Sequence, residues 1–240
     1  MIFVNKDNIF TVDGKVVSRI CYNKNLLTGE FNILNKEILN SDVEFKNNSI
    51  MIMENEEIYI KYITIPRVSR DKAEKIVRDE LNSYYGIQEN ITFTYSILKK
   101  NKTNMELGVF YINSKNLNDM NLKNIKALYL IQFCYAEYLK SIIKQDKYIF
   151  LFLHNSKLYT IYCDKGLIKY NYIFRNFKES SEEFKACLDY FINLNREIKH
   201  SFKVIYISGV KEEIIADIKK IYNFENLGKI EEDKLFKKVV

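Results

Sequence analysis

Most apolar residues of the chain fall in short runs closed by Asn, Asp, Lys or Gly, as strands do; the rest recur every three to four residues, as in helices. Residues 1–4 and 9–12 predict two short strands joined by a polar turn at residues 6–8. Asp13-Gly14 is a tight-turn pair, so residues 16–22 return as a third strand of an antiparallel meander. The Asn- and Lys-rich segment 23–48 is less regular, and residues 32–39 within it predict a short helix. Residues 49–53 and 58–65 predict two strands lying side by side across an acidic turn at residues 54–57.

Pro66 is the sole proline. It lacks a backbone donor and favours an extended residue before it, so the strand at 58–65 stops there. Ser69 then caps a helix, although Lys72 stands where a capping box has an acid. Ala73, Ile76, Val77, Leu81 and Tyr84 form the apolar stripe of this helix, and Arg70, Lys72, Lys75 and Arg78 lie outside it. Gly86 supplies the exit. Strands follow at 91–98 and 105–112 around a polar connection at 99–104. The second is apolar on both faces, as a central strand is. A short helical piece starts at Asn113 or Ser114 and ends near Asp119. Residues 127–143 read as a well-covered helix, with or without a very short strand before it.

Residues 147–153, 158–163 and 167–174 predict a second meander, turned at Asn155-Ser156 and at residues 164–166. Ser180 with Glu183 matches a capping box, and Phe184, Leu188, Phe191, Leu194 and Ile198 give a clean amphipathic helix. An apolar strand over 202–208 ends at Gly209, a helix covers 212–221, and residues 235–240 predict a last short strand. The second meander echoes the first in order of elements, not in sequence. The chain therefore reads as α/β, with mixed sheets and covering helices in two subdomains, 1–143 and 144–240.

A length of 240 residues with 47% hydrophobic and 28% charged residues supports a full core and excludes a disordered chain. No apolar run approaches the roughly 20 residues of a membrane span. No signal-like segment follows the first residues, so a cytoplasmic location is expected. The net charge of +6 suits an anionic partner without demanding one. Cys21, Cys134, Cys163 and Cys187 are scattered among apolar residues and read as buried, reduced thiols.

Candidate chemistry is sparse. His154 and His200 are the two histidines, and neither has acids or cysteines at ligand spacing, so no metal is expected. The adjacent acids Glu56-Glu57, Glu182-Glu183 and Glu231-Glu232-Asp233 do not face one another on a helix and read as solvated surface. Neither glycine-rich phosphate loop is present. Arg67, Arg70, Lys72, Lys75 and Arg78 form the strongest basic cluster: a solvated helix face, a dock for an acidic partner or anionic headgroups, or a nucleic-acid contact. The aromatic residues lie inside periodic segments and read as core, not as a base-stacking platform.

The strands at 49–65 ending in Ile65-Pro66, the helix with Glu80 after them, and the strands at 91–98 and 105–112 resemble PilM-type type IV pilus assembly proteins. The same order is similar to the cytoplasmic part of the type II secretion protein GspL. Farther on, residues 147–174 resemble the strands that open the second actin-like subdomain, and residues 180–198 its long helix. Residues 204–209 resemble the strand and turn, here Ser208-Gly209, that lie beside the adenosine in nucleotide-binding members. The resemblance runs over residues 49–227 and implies an actin-like (ribonuclease H-like) fold of two subdomains.

ATP-binding members of the family carry Asp-x-Gly type turns after the first strand and at the opening of the second subdomain. The slots here read Val4-Asn5-Lys6-Asp7-Asn8, without glycine, and Leu153-His154-Asn155-Ser156-Lys157, without aspartate or glycine. The resemblance thus implies a degenerate, non-catalytic relative without a cofactor, in which Ser208 and Gly209 are the surviving nucleotide-side residues. It implies a cytoplasmic scaffold at the inner face of the plasma membrane, in the assembly platform of a type IV pilus or type II secretion-like system. Its partners would be the cytoplasmic tail of a single-pass membrane protein and an assembly ATPase, with no nucleic acid. Arg67, Arg70, Arg78, Tyr84 and Tyr85 are the residues expected to line the partner site. Two alternatives stand beside this. A divergent actin-like ATPase would need Asp7 or Asp164 near a metal, and a nucleic-acid-binding accessory protein would use Arg70 and Lys75 in a salt-sensitive way.

Overall fold

The computed structural model describes residues 3–39, 43–86, 90–117 and 120–238. In chain order the elements begin with β1 (Phe3–Asp13), β2 (Val16–Asn25), β3 (Phe31–Leu39) and β4 (Ser49–Glu54). Next come β5 (Tyr59–Pro66), α1 (Arg70–Tyr85), β6 (Ile91–Lys100), β7 (Asn104–Asn113), β8 (Ile125–Leu130) and α2 (Ile131–Leu139). The remainder is β9 (Lys147–His154), β10 (Lys157–Asp164), β11 (Leu167–Phe174), α3 (Ser181–Leu194), β12 (Ile205–Ser208), α4 (Glu212–Ile215), β13 (Phe224–Asn226) and α5 (Glu232–Phe236). Contacts sort the chain into a larger unit of residues 1–55 with 121–240 and a smaller unit of residues 56–120. The boundary expected near Ile143 falls inside the larger unit, between α2 and β9.

The larger unit holds two five-stranded sheets of matching order, β3-β2-β1-β4-β8 and β11-β10-β9-β12-β13. In each, a three-strand antiparallel meander gains two parallel strands beside its first strand. The echo between the two meanders is therefore a repeat of architecture. On one face of the second sheet, Ile149, Leu151, Ile205 and Ile207 meet Phe184, Leu188 and Phe191 of α3 and Ile214 and Ile215 of α4. Helix α2 contacts β4 and β8 of the first sheet and β11 of the second, and α5 contacts α2 and β3. Cys134, Cys163 and Cys187 are buried free thiols, and Cys21 is half-buried.

In the smaller unit the strand order is β5-β7-β6, so the strand apolar on both faces is central, as its pattern requires. Ile65, Leu107 and Val109 pack on Ala73, Val77 and Leu81 of α1. Ser69 sits at the N-cap of α1 without a side-chain cap bond. In α3, Ser180 accepts from the Glu183 amide at 3.2 Å, while the Glu183 carboxylate accepts from the Lys178 amide at 2.8 Å, so the box closes two residues wider than its sequence suggests. No helix among the described residues is long and apolar enough to cross a membrane.

Several expectations are corrected. The two strands foreseen at 1–4 and 9–12 are one strand, β1, whose polar residues are absorbed by a register shift between Lys6 and Ile9; residues 1 and 2 lie outside the described residues. Residues 32–39 are not a helix but the edge strand β3. Leu34 and Ile38, four apart, imitate a helical stripe, yet both are exposed, and Lys36 and Glu37 guard the open edge. The strands at 49–53 and 58–65 are not neighbours: β4 is sandwiched between β1 and β8, and β5 pairs with β7. The helix at 127–143 is divided into β8 and the shorter α2, and the helix at 212–221 into α4 and a 3-10 turn at Ile218–Lys220. The piece starting near Asn113 is a 3-10 turn at Lys115–Leu117, and its expected end near Asp119 lies outside the described residues. The tail is helical at α5, not a strand, because Leu235 and Phe236 bury together; residues 239 and 240 lie outside the described residues.

Candidate functional site

Strand β4 is buried along its whole length, and Glu54 ends it in phase with Ile50 and Ile52. His154 ends β9 in phase with Phe150 and Phe152. Period-two alternation thus carries two ionisable side chains inward, Glu54 at 1% and His154 at 7% exposure. His154 Nε2 lies 3.2 Å from Glu54 Oε1. The approach is off the line of a hydrogen bond, and neither atom has another partner. Asn155 Nδ2 donates to the other carboxylate oxygen of Glu54. Burial pushes the Glu54 carboxyl up, but His154, with Lys36 and Asn155, outweighs burial and holds it below the ordinary carboxylate value.

The rings of Tyr135 and Tyr159 stand edge-on to His154, each 6.2 Å away, with Phe152 stacked between the two tyrosines. Burial raises both tyrosine hydroxyls above their ordinary value, so they stay neutral. A cavity of about 540 Å³ opens beside this cluster, lined by Tyr135, His154, Asn155, Ser208 and the segment Lys229 to Asp233. Glu232 on this rim bonds Lys36 of β3 at 3.0 Å.

The turns around the cavity are tied to one another. The β9–β10 turn holds Asn155 and Ser156 at positive φ, the conformation of a tight hairpin that Asn tolerates well. Lys157, closing that turn, donates to Asp13 at the β1–β2 turn. Asn55, directly after β4, donates its amide to Tyr159 Oη at 2.9 Å and accepts from Arg175 Nε at 2.9 Å. Asp13-Gly14, with Gly14 at φ +61°, is the turn that follows the first strand. The slot read at residues 4–8 instead lies inside β1, a correction that follows from the length of that strand.

Of the residues expected at a nucleotide, Ser208 is buried and lines the cavity, and its hydroxyl accepts from the Ile230 amide at 3.2 Å. Gly209, at φ +72°, donates to the Gly228 carbonyl at 3.1 Å. Both therefore hold the C-terminal segment against β12. Asp7, on β1, pairs with Arg19 of β2 and with Lys46 of the connection before β4, and Asp164 pairs with Lys147 at the end of β10 remote from the β9–β10 turn. The two aspartates are not brought together, and neither lines the cavity.

The residues expected at a partner site lie in the smaller unit, at different places. Arg67 and Arg70 are exposed, with the Arg67 amide bonded to the Thr103 carbonyl at 2.8 Å. Arg70 lines a groove of about 560 Å³ between the start of α1 and β6, together with Phe93, Tyr95 and Ile97. Arg78 stacks 5.0 Å over Phe93 and reaches Glu74 at 3.5 Å. Tyr84 leaves the expected apolar stripe: it is 69% exposed, with the Lys61 ammonium 3.7 Å over its ring. Tyr85 bonds Tyr111 through the two hydroxyls and so belongs to a tyrosine cluster at the other end of α1.

Glu232, read as solvated surface, is half-buried, and acids that no chain spacing brings to His154 lie beside it in space. Glu54, His154 and Glu232 place one ligand atom each within 4.8 Å of one another, although they come from β4, β9 and α5. Spacing along the chain does not reveal such a group. The phase of Glu54 and His154 within two buried strands does, because an ionisable residue continuing an inward-facing apolar series must meet a polar partner inside.

No protein-family model and no curated protein matches the chain. Solved structures do. A Bacteroides thetaiotaomicron protein with an actin-like ATPase fold superposes with a TM-score of 0.56 at 12% identity, covering 96% of this chain and 94% of that one. A chain of the PilM–PilN type IV pilus biogenesis complex gives 0.57 at 9% identity, over 91% of this chain and 87% of that one. The cytoplasmic domain of EpsL, an inner-membrane component of the type II secretion system of Vibrio cholerae, gives 0.51 at 6% identity, over 96% and 92%. Likeness at these identities speaks for architecture, and the architecture of this chain is the actin-like fold that the order of its elements implied.

Proposed function

We propose that the protein is a non-catalytic cytoplasmic scaffold, positioned at the inner face of the membrane in a type IV pilus or type II secretion-like assembly platform. The observation that carries the non-catalytic part is the Lys157–Asp13 pair. ATP-binding members of the resembled family carry their Asp-x-Gly type turns at these two places, and here the turns are joined by a lysine and an aspartate that satisfy each other. The cavity beside them is rimmed by Glu231, Glu232 and Asp233, which repel a polyphosphate, and Lys36 is already committed to Glu232. The system assignment rests on the fold shared with pilus and secretion proteins.

The partner would be the cytoplasmic tail of a single-pass membrane protein, held as an extended segment along β6. This strand is an edge of its sheet, so its outer backbone groups are available for strand addition. Phe93, Tyr95 and Ile97 offer apolar contacts, and Arg70 and Lys100 suit acidic positions in the tail. An assembly ATPase would join through the same platform.

A photocrosslinking residue placed at Ile97 tests this in cells. The expected product is a single-pass membrane protein crosslinked through its cytoplasmic segment and lost on Arg70→Glu. Absence of any membrane protein from the crosslinked products overturns the partner assignment. Calorimetric titration with magnesium and ATP is expected to give no binding heat, and saturable binding with hydrolysis overturns the non-catalytic reading.

A further inference from the structure

The Glu54–His154 contact is chemically unfinished. Glu54 Oε1 and His154 Nε2 are both buried, face each other at 3.2 Å and lack a hydrogen-bond partner. A carboxylate at 1% exposure is costly to bury, and the amide on its second oxygen and the imidazole beside its first are what offset that cost. Glu232 brings a third donor to within 4.8 Å, beside a cavity open to small solutes.

We infer that Glu54, His154 and Glu232 form a binding site for a divalent transition-metal ion of the zinc class. In a tetrahedral site with bonds of about 2.0 Å, ligand atoms stand about 3.3 Å apart, which the imidazole and the Glu54 oxygen already match. One imidazole and two carboxylates favour zinc and its neighbours over magnesium or calcium, which take oxygen donors. Glu232 completes the set by turning from Lys36, and the cavity side leaves the fourth position to water. Asn155, bonded to the second oxygen of Glu54, fixes the direction of that carboxylate as an outer-shell partner does. The inference is independent of the scaffold reading, since it concerns binding of an ion and not a partner.

Cobalt(II) is the probe, because its visible absorption reports low-coordinate nitrogen and oxygen ligation. The intact protein, stripped with chelator, is titrated with cobalt, then with zinc, then separately with magnesium. One equivalent of cobalt is expected to produce visible bands that zinc abolishes and magnesium leaves unchanged. Glu232→Gln, at a partly exposed position that does not threaten folding, is expected to weaken cobalt binding by more than the roughly 10–100-fold of an outer-shell loss. His154→Asn is expected to abolish the bands, and His200→Asn, at an exposed histidine elsewhere, to leave them intact. No bands in the wild type, or bands that persist in folded Glu232→Gln protein, overturn the site.

Discussion

Lys157 donates to Asp13 across 144 positions of sequence and ties the hairpin turn of the second sheet to that of the first. Side-chain exposures of 16% and 26% keep the pair largely out of solvent. Its loss leaves one charge in a poorly hydrated place, a larger effect than the loss of a surface pair.

Lys157→Met is therefore expected to cost about 1–3 kcal/mol. For a chain of this size that lowers Tm by about 2–12 °C. The double variant Asp13→Asn/Lys157→Met is expected to be less destabilised than the sum of its parts, because neither side chain is then left charged and alone. Thermal melts of the four proteins measure the coupling.

Gly209 is expected to resist substitution. Its φ of +72° is left-handed, and an added Cβ would meet the Leu153 carbonyl oxygen at 3.2 Å. Gly209→Ala pays the left-handed penalty of about 1–2 kcal/mol and also pushes on β9 just before His154. Gly228, at φ +67° with open space around it, is the control that carries the first effect alone. Chemical denaturation should rank Gly209→Ala well below Gly228→Ala in stability.

How much of this was visible in the sequence depended on the range of the interaction. The second meander, α3 and the central place of β7 followed from periodicity, because each is set by residues a few positions apart. Strand β3 did not: its exposed Leu34 and Ile38 mimic a helix, and only the cross-strand Arg19–Glu37 pair reveals the sheet. The cluster at Glu54, His154 and Glu232 was hidden for the same reason, since each member is ordinary in its own neighbourhood.

The thiols make a further prediction. Burial pushes Cys134, Cys163 and Cys187 from 9.0 up to about 12. In the folded protein an alkylating reagent near pH 8 is expected to modify Cys21 alone, and all four after denaturation. Because the folded values are raised, the folded state holds these protons longer than the unfolded one. Their contribution is present in full below pH 9 and is lost as pH rises toward about 12, so denaturation midpoints should fall over that window.

Leu81 tests whether the smaller unit opens by itself. It is buried against the β5–β7–β6 sheet with Ala73 and Val77. Leu81→Ala is expected to cost about 2–5 kcal/mol. Amide exchange should then accelerate across residues 56–120 while β9 and β10 keep their protection. Equal acceleration in both units would mean that they unfold as one.

The smaller unit leaves the chain after β4 and returns before β8, two strands that are parallel neighbours in one sheet. It is thus a detour inside a single crossover, and its two ends are anchored by the same few hydrogen bonds whatever happens between them. Such a detour can be lengthened, shortened or re-faced without re-registering either sheet. One frame can in this way present a different docking face by exchange of a single continuous stretch of chain.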